Sequence, residues 1–183
     1  MSFDELSCLT LGDMFRAVGV CNGHLFEAER IYQTYYTNIS SRRAKLYPGV
    51  PETLDLLRRW GYDLAIATNE HRRNLDRLLS STGIASFFSN TVCENEVANT
   101  KPDPEMAWSL MADLNRSPSQ TLIVGDSILD IQMGQAVGGF TCGAAFGAYS
   151  EKKLAASGPN WIIGEFRELP NLLQIPRFDW NKR

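Results

Sequence analysis

The sequence predicts a doubly wound α/β fold, in which helices cover both faces of a parallel β-sheet. Short apolar runs typical of buried strands alternate with helical patterns between residues 47 and 163. Glycine or proline stands at several of the changes from one pattern to the next. In folds of this class ligands bind beyond the carboxyl ends of the strands, so polar residues that directly follow a strand are the first candidates for function.

The segment before residue 47 predicts helices only. Apolar residues recur at helical spacing from His24 to Ser40 and form an aromatic-rich face, and a shorter helix is expected over Leu11 to Val18 with Gly19 as its stop. We therefore expect residues 1–46 to form a helical unit and residues 47–183 to form the α/β core.

The α/β pattern begins after the turn signal Tyr47-Pro48-Gly49-Val50, where Pro51 can start a helix that carries Leu54, Leu57 and Trp60 on one face and ends at Gly61. The predicted strands are Asp63–Ala67, Phe87–Cys93, Thr121–Val124, Phe140–Ala145 and Trp161–Ile163. The predicted helices between them are one that closes at Gly83, Pro104–Leu114 and Ile128–Val137.

The composition excludes several classes of protein. The 183 residues include 18 basic and 21 acidic side chains without a long single-sign run, so nothing favours nucleic acid or an anionic membrane surface as a partner. No apolar run approaches the roughly 18 residues that span a bilayer. The four cysteines are far apart and form no CxxC pair. We expect a soluble, cytoplasmic protein with reduced thiols.

Two predicted strands end in polar residues. The run Leu64–Ala67 leads into Thr68-Asn69, and the run Leu122–Val124 leads into Gly125-Asp126-Ser127. Asp130 follows Asp126 by one helical turn, so both carboxylates can approach one point, and such hard oxygen ligands suit magnesium. The alternative is that Asp126 only caps the helix.

Lys101 stands just before Pro102-Asp103-Pro104, where Asp103 can cap a helix and Pro104 can be its first residue. The positive end of a helix dipole repels a cation, so a lysine here makes sense if an anion lies in front of it; the alternative is a solvated surface lysine. A hydroxyl, a lysine and paired carboxylates at strand ends are together what a magnesium-dependent phosphoryl-transfer site needs.

Other chemistries lack their motifs. The sequence contains no GxxxxGK loop, GxGxxG turn or GxSxG elbow, which removes the P-loop, dinucleotide-binding and common serine-hydrolase interpretations. His24 and His71 each stand at the start of a predicted helix, and we expect surface roles for both.

The sequence resembles the haloacid dehalogenase-like (HAD) hydrolase superfamily, and within it the phosphoglycolate phosphatase-like branch. The resemblance runs in the family's order over roughly residues 46 to 173. It rests on Leu46-Tyr47-Pro48-Gly49-Val50, Ile66-Ala67-Thr68-Asn69, Lys101-Pro102-Asp103-Pro104-Glu105, Val124-Gly125-Asp126-Ser127-Ile128-Leu129-Asp130 and Glu168-Leu169-Pro170.

The resemblance implies a role for each candidate residue. Thr68 would bind the phosphoryl group, with Asn69 beside it in the phosphate site. Lys101 would steady the nucleophile and the phosphate, Asp126 would be a catalytic ligand of Mg²⁺, and Asp130 would support the metal shell. The Gly-Asp-Ser form of this last motif is typical of the family's phosphatases, so cleavage of carbon–halogen bonds is disfavoured.

The sequence departs from the family in one place. The family opens with an apolar strand that ends in Asp-x-Asp-Gly-Thr, whose first aspartate is the nucleophile. Phe3-Asp4-Glu5-Leu6-Ser7 has Leu6 where the second aspartate belongs, and no strand precedes it, so Asp4 receives no catalytic role. By resemblance, residues 1–46 are a partial helical cap and the core lacks its first strand, which the family places between the strands ending at Thr68 and near Asp126.

Two functions remain open from the sequence. The first is a magnesium-dependent phosphatase that, in its full-length form, hydrolyses a small phosphate monoester such as phosphoglycolate or a sugar phosphate through an aspartyl-phosphate. The second is a non-catalytic, N-terminally truncated remnant that binds a phosphorylated ligand or a partner chain. The first is favoured because a binding remnant has no need of Thr68, Lys101, Asp126 and Asp130 together. Either way, residues 1–183 alone are expected to be inactive. The substrate within this class and the oligomeric state stay open.

Overall fold

The computed structural model describes residues 11–173, so Asp4, Leu6 and Cys8 lie outside the described residues. The chain divides into two units, Met1–Ala44 and Lys45–Arg183. Among residues 11–173, none of the helices combines the length and apolar character that a membrane span requires.

The described residues of the first unit form the two predicted helices. Helix α1 covers Leu11–Ala17 and helix α2 covers Leu25–Arg43. The ring of Phe15 on α1 meets the edge of Tyr32 on α2, with 5.9 Å between ring centroids, and Tyr32 stacks on Tyr36 at 5.4 Å. Part of the aromatic face predicted for α2 therefore serves to pack the two helices together.

Five short parallel strands form the framework of the second unit. Strand β1 (Ala65–Thr68) pairs with β2 (Asn90–Cys93) in one sheet. Strands β3 (Leu122–Gly125), β4 (Phe140–Ala144) and β5 (Trp161–Ile163) form the second sheet in that order. All five strands occur where the sequence predicts them, with ends that differ by up to three residues.

The helices of this unit alternate with the strands. They are α3 (Val50–Arg59), α4 (Arg72–Thr82), α5 (Glu105–Asp113), α6 (Ile128–Ala136), α7 (Glu151–Ala155) and α8 (Leu169–Leu173). Gly49 before α3 and Gly83 after α4 both have a positive φ, the conformation that glycine adopts at least cost.

Two local predictions are wrong. The second strand begins at Asn90 and not at Phe87, because residues Ala85–Phe87 form a 3-10 turn, in which the Phe87 N–H bonds to the Ile84 carbonyl. Trp60 does not continue the buried face of α3, because the helix ends at Arg59 and Trp60 is 41% exposed.

Apolar side chains cover the strands on both faces. The first cluster joins β2 to α5 and α6 and contains Val92, Met106, Ala107, Leu110, Met111, Met133 and Val137. The second cluster joins α3, β4, β5 and α8 through Leu57, Cys142, Ile163 and Leu169. Helices thus pack on both sides of the strands, which confirms the doubly wound α/β class.

Both sheets lie between the same two layers of helices. Ala67 on β1 and Ile123 on β3 pack against the first cluster. Leu64, just before β1, and Leu122 on β3 pack against the second. Because alternate side chains of a strand point to opposite faces, β1 and β3 have the same orientation in one layer of strands.

The layer of strands is interrupted between β1 and β3. Within the described residues β1 pairs only with β2, and β3 pairs only with β4. Every residue of β1 and β3 is half-buried, whereas four of the five residues of β4 are buried. The interruption lies where the resemblance places the family's first strand.

The described cysteines are free thiols, as expected. Cys21 is exposed, and Cys93 and Cys142 are buried. Burial raises the pKa of Cys93 to about 11 and that of Cys142 to about 12. Cys93 is paired in register with Thr68 at the end of its strand, but at neutral pH its thiol is protonated and a poor nucleophile.

Candidate active site

Lys101 links the ends of the two sheets. Its Nζ donates to the backbone carbonyl of Ala67 on β1 at 3.1 Å and forms an ion pair with Asp130 Oδ1 on α6 at 2.7 Å. The side chains of Lys101 and Asp130 are only 12% and 11% exposed. The alternative of a solvated surface lysine is therefore wrong, and the ammonium does face an anion.

Asn69 holds the backbone of Lys101. Its Oδ1 accepts the Lys101 N–H at 3.1 Å, and its Nδ2 donates to the Lys101 carbonyl at 3.3 Å. This pair of hydrogen bonds ties the residue after β1 to the loop before α5. The resemblance predicts that Asn69 lies in the phosphate site; in the structure its side chain binds the backbone of Lys101.

The loop that carries Lys101 is also fixed to α5. The peptide bond between Lys101 and Pro102 is cis. The N-cap of α5 is Pro104 and not Asp103 as predicted, although Asp103 Oδ1 accepts the backbone N–H of Glu105 at 2.9 Å. The helix itself begins at Glu105, one residue later than expected.

Thr68 is the last residue of β1, and its hydroxyl remains able to donate. Its Oγ1 accepts the backbone N–H of Glu70 at 3.1 Å. A hydroxyl both donates and accepts. No described residue accepts the proton of Thr68, which leaves a hydrogen-bond donor at the carboxyl end of the strand for a ligand.

Both carboxylate oxygens of Asp130 have partners. Oδ1 pairs with Lys101, while Oδ2 accepts from the Ser127 backbone N–H at 3.1 Å and from Ser127 Oγ at 2.7 Å. Ser127 and Asp130 together form a capping box at the start of α6. A Cβ on Gly125 would lie 2.2 Å from Asp130 Cγ, so this position leaves room only for glycine.

Asp126 is not the helix cap, because Ser127 takes that position. The Ala148 backbone N–H donates to Asp126 Oδ2 at 2.8 Å, and no described residue donates a hydrogen bond to Oδ1. One oxygen of this carboxylate is therefore held by the protein, and the other can take a ligand. The alternative in which Asp126 merely caps α6 is wrong.

The carboxylate of Asp126 fits the ligand preference of magnesium. Among residues 11–173 no group of three or more histidine, cysteine, aspartate or glutamate side chains could hold a metal. Magnesium binds through one or two carboxylates and completes its shell with water and phosphate oxygens. Asp126, with one oxygen free, matches that requirement.

An ion pair beside the site links α4 to β2. The Arg72 guanidinium donates to both Glu96 carboxylate oxygens, at 2.7 and 2.6 Å, and to the Thr91 carbonyl at 2.8 Å. These hydrogen bonds hold the pKa of Glu96 below its usual value. The contacts fix the start of α4, and with it the turn that follows Thr68.

The structure brings three of the five predicted site residues into contact and places the other two at strand ends. Thr68 and Asp126 lie at the ends of β1 and β3, and direct contacts join Asn69, Lys101 and Asp130. Neither histidine has a hydrogen bond to these residues among the described contacts. His24 lies in the first unit, and exposed His71 accepts the Arg73 N–H at the start of α4.

Sequence reasoning missed Ser127 and Ala148. The Ser-x-x-Asp spacing is itself a capping-box signal, so Ser127 could have been found from the sequence. Ala148 contributes only a backbone N–H from a loop 22 residues away from Asp126, and no sequence pattern points to it.

Comparisons with known proteins identify relatives of the chain. The family profile described as "Haloacid dehalogenase-like hydrolase" matches residues 2–144. A phosphoglycolate phosphatase of Haemophilus influenzae is 32% identical over 142 residues, which are 78% of this chain and 63% of that protein. Pyrophosphatase PpaX of Bacillus velezensis is 34% identical over 129 residues, 70% of this chain and 60% of that protein. The chain thus spans less than two thirds of the length of these curated relatives.

Solved structures have the same fold. A predicted phosphoglycolate phosphatase from Haemophilus somnus 129PT superposes with a TM-score of 0.80 at 27% identity, over 90% of this chain and 74% of that chain. A putative phosphoglycolate phosphatase from Lactobacillus plantarum gives a TM-score of 0.82 at 18% identity, over 92% of this chain and 80% of that chain, and at that identity it supports the fold alone.

Proposed function

The chain belongs to the haloacid dehalogenase-like hydrolase family, and we propose that it is the phosphate- and metal-binding part of a magnesium-dependent phosphatase. The main support for the proposal is the nearly buried ammonium of Lys101, which contacts Asp130 and the Ala67 carbonyl. Thr68 and Asp126 lie at the ends of the strands β1 and β3. A positive charge, a hydroxyl donor and a carboxylate are thereby collected at one edge of the strands, where this fold class binds ligands.

Thr68 and Lys101 bind the phosphoryl group in this proposal. The free hydroxyl proton of Thr68 donates to one phosphate oxygen, and the Lys101 ammonium offsets negative charge on the group that is transferred. Asn69 contributes through Lys101, because its side-chain amide holds the lysine backbone. Since Lys101 is nearly excluded from water, its charge acts with little screening.

Asp126 and Asp130 form the metal side of the site. Asp126 would hold Mg²⁺ through Oδ1, and Asp130 would support the metal shell while it fixes Lys101. When bound, the ion would neutralise charge on the phosphate that it shares with the protein.

The proposed reaction needs a nucleophile. No Asp-x-Asp-Gly-Thr motif occurs in the 183 residues. We propose that in the full-length form a strand that ends in this motif lies between β1 and β3, and that its first aspartate forms an aspartyl-phosphate. Residues 1–183 without this strand would then be inactive.

The substrate in this proposal is a small phosphate monoester. The curated relatives are named phosphoglycolate phosphatases and a pyrophosphatase, so their substrates are small phosphorylated molecules. We propose a phosphoglycolate-like compound or a sugar phosphate for this chain. We also propose that the helical unit before residue 47 is part of the family's cap.

The test is phosphate release from a panel of phosphate monoesters by the full-length form, with Mg²⁺ and with EDTA. Asp126→Asn should lower turnover by about a hundredfold or more, because a neutral amide does not balance the charge of the ion. Asp55→Asn, at an exposed position on α3, makes the same chemical change and should leave turnover intact. Turnover that survives EDTA or Asp126→Asn contradicts the proposal. Binding of phosphate without turnover would instead indicate the non-catalytic remnant.

A further inference from the structure

The loop after β4 holds Asp126 from its backbone. The Ala148 N–H donates to Asp126 Oδ2 at 2.8 Å, and the Tyr149 N–H donates to the Asp126 carbonyl at 3.2 Å. Ala148 and Tyr149 are consecutive residues in the segment 145–149, which we call the clamp loop. Side chain and backbone of Asp126 are thus fixed by the same short segment.

Gly147 sits directly against the Asp126 carboxylate. A Cβ added at Gly147 would lie 2.1 Å from Asp126 Oδ2 and 2.3 Å from Asp126 Cβ. Neighbouring heavy atoms essentially never approach a Cβ within 3.0 Å, so any side chain here must displace either the loop or the aspartate. The φ of Gly147 is not positive, so it is space and not backbone conformation that requires glycine.

The clamp loop is anchored, so the displacement would fall on Asp126. Tyr149 is 4% exposed, and the ammonium of Lys153 lies over its ring at 4.1 Å from the centroid. The ring of Phe146 meets Tyr47 with 5.0 Å between centroids. Aromatic contacts therefore hold the loop on both sides of Gly147, while Oδ1 of Asp126 has no partner among the described residues to resist a rotation of the carboxylate.

We propose that Gly147 is a positioning residue for the metal site: its lack of a side chain lets Ala148 hold Oδ2 of Asp126 and so aims Oδ1 at Mg²⁺. The proposal rests on the proposed function, because it assigns Asp126 to the metal. Partners that orient a metal ligand typically change metal affinity 10–100-fold when they are mutated. Gly147 itself touches neither the metal nor the substrate in this scheme.

The experiment measures the affinity for Mn²⁺, a paramagnetic substitute for Mg²⁺, by electron paramagnetic resonance in the full-length form. Gly147→Ala should weaken binding about 10–100-fold, and a higher Mg²⁺ concentration should restore turnover. Gly164→Ala is the matched control, because its Cβ would have its nearest neighbour at 3.6 Å, an ordinary contact. Gly164→Ala should bind Mn²⁺ as the wild type does, and thermal melting checks that both variants are folded.

Different results of the Mn²⁺ measurement would overturn the metal role of Asp126 and the positioning role of Gly147. Absence of Mn²⁺ binding by the wild type, or binding unchanged in Asp126→Asn, overturns the metal role and the positioning role together. Wild-type affinity in a folded Gly147→Ala overturns the positioning role alone.

If Gly147→Ala does not fold, the proposal can be tested by NMR on the wild-type protein. In ¹⁵N-labelled wild-type protein, Mg²⁺ should shift the amide resonance of Ala148, because that N–H shares the Asp126 carboxylate with the ion. The amide of Gly164 is the reference that should not move. Lack of a Mg²⁺-dependent shift at Ala148 overturns the proposal.

Discussion

Lys101 is a nearly buried lysine that is paired with Asp130. Its side chain is 12% exposed and contacts a carboxylate and a backbone carbonyl. Thr68, by contrast, offers a single neutral hydroxyl donor at the end of β1. Charge-assisted hydrogen bonds to phosphate are about twice as strong as neutral ones. The two residues should therefore differ in what they contribute to a phosphoryl-transfer reaction.

We expect Lys101→Met to lower kcat/KM more than Thr68→Val. Loss of one donor to the transition state typically costs about 3 kcal/mol, and loss of the charge should cost more than loss of the hydroxyl. Steady-state kinetics of both variants in the full-length form test the order. Lys45→Met, at an exposed position, is the control for loss of a lysine charge. A larger loss for Thr68→Val would mean that the two roles are wrongly assigned.

The sequence predicts the polar and charged groups of the candidate site but not the residues that form hydrogen bonds with them. Thr68, Lys101 and Asp126 could be found because each stands at a strand end or before a helix. The hydrogen bonds between Asn69 and Lys101 join residues 32 apart, and only the fold brings them together. Gly147 lies in a loop whose sequence carries no catalytic pattern, so its contact with Asp126 is visible only in three dimensions.

At the scale of elements, the link between α4 and β2 supports the turn after β1. Arg72 in the first turn of α4 binds Glu96, which follows β2, and reaches Thr91 within β2. The Glu96 carboxylate also accepts the Cys93 N–H at 3.0 Å. The ionised form of Glu96 is stabilised by these donors, which is why its pKa is lowered.

This link predicts a pH dependence of stability. Because the pKa of Glu96 is lower in the folded state than its usual 4.5, the unfolded state binds more protons as the pH falls below 4.5. The free energy of unfolding should therefore decrease as the pH falls through the lowered pKa. Between about pH 7 and about pH 4, the free energy of unfolding should decrease less in Glu96→Gln than in the wild type.

Urea unfolding at the two pH values provides the measurement. Glu52→Gln, at an exposed position in the first turn of α3, is the control and should show the wild-type loss. An equal loss in Glu96→Gln and the wild type would contradict the assigned role of the ion pair.

The elements themselves follow closely from sequence patterns. The strand Trp161–Ile163 has its predicted ends, and α4 ends before Gly83 as expected. Errors occur where local hydrogen bonds compete with the sheet, as in the 3-10 turn at Ala85–Phe87 that replaces the start of the second strand. A run of apolar residues does not distinguish these two conformations.

At the scale of the whole molecule, the fold class and both apolar layers follow from the alternation of strands and helices. The interruption between β1 and β3 does not follow from that alternation, and only the family resemblance predicts it. Among residues 11–173, β1 and β3 present half-buried apolar residues and each has one edge without a partner strand, a feature that proteins normally cover. A strand of about five residues placed there would add about ten backbone hydrogen bonds at about 1 kcal/mol each, comparable with the whole stability of a domain.

The proposed reaction can be tested by comparing Mg²⁺-dependent phosphate release by residues 1–183 with release by a form extended at its N-terminus by an apolar strand that ends in Asp-x-Asp-Gly-Thr. We expect turnover by the extended form and none by residues 1–183, because the proposed reaction through an aspartyl-phosphate needs a nucleophile that Thr68, Lys101 and Asp126 do not supply. Phosphatase activity of residues 1–183 that depends on Mg²⁺, in a protein that melts cooperatively, would contradict it and would require a nucleophile among the present residues.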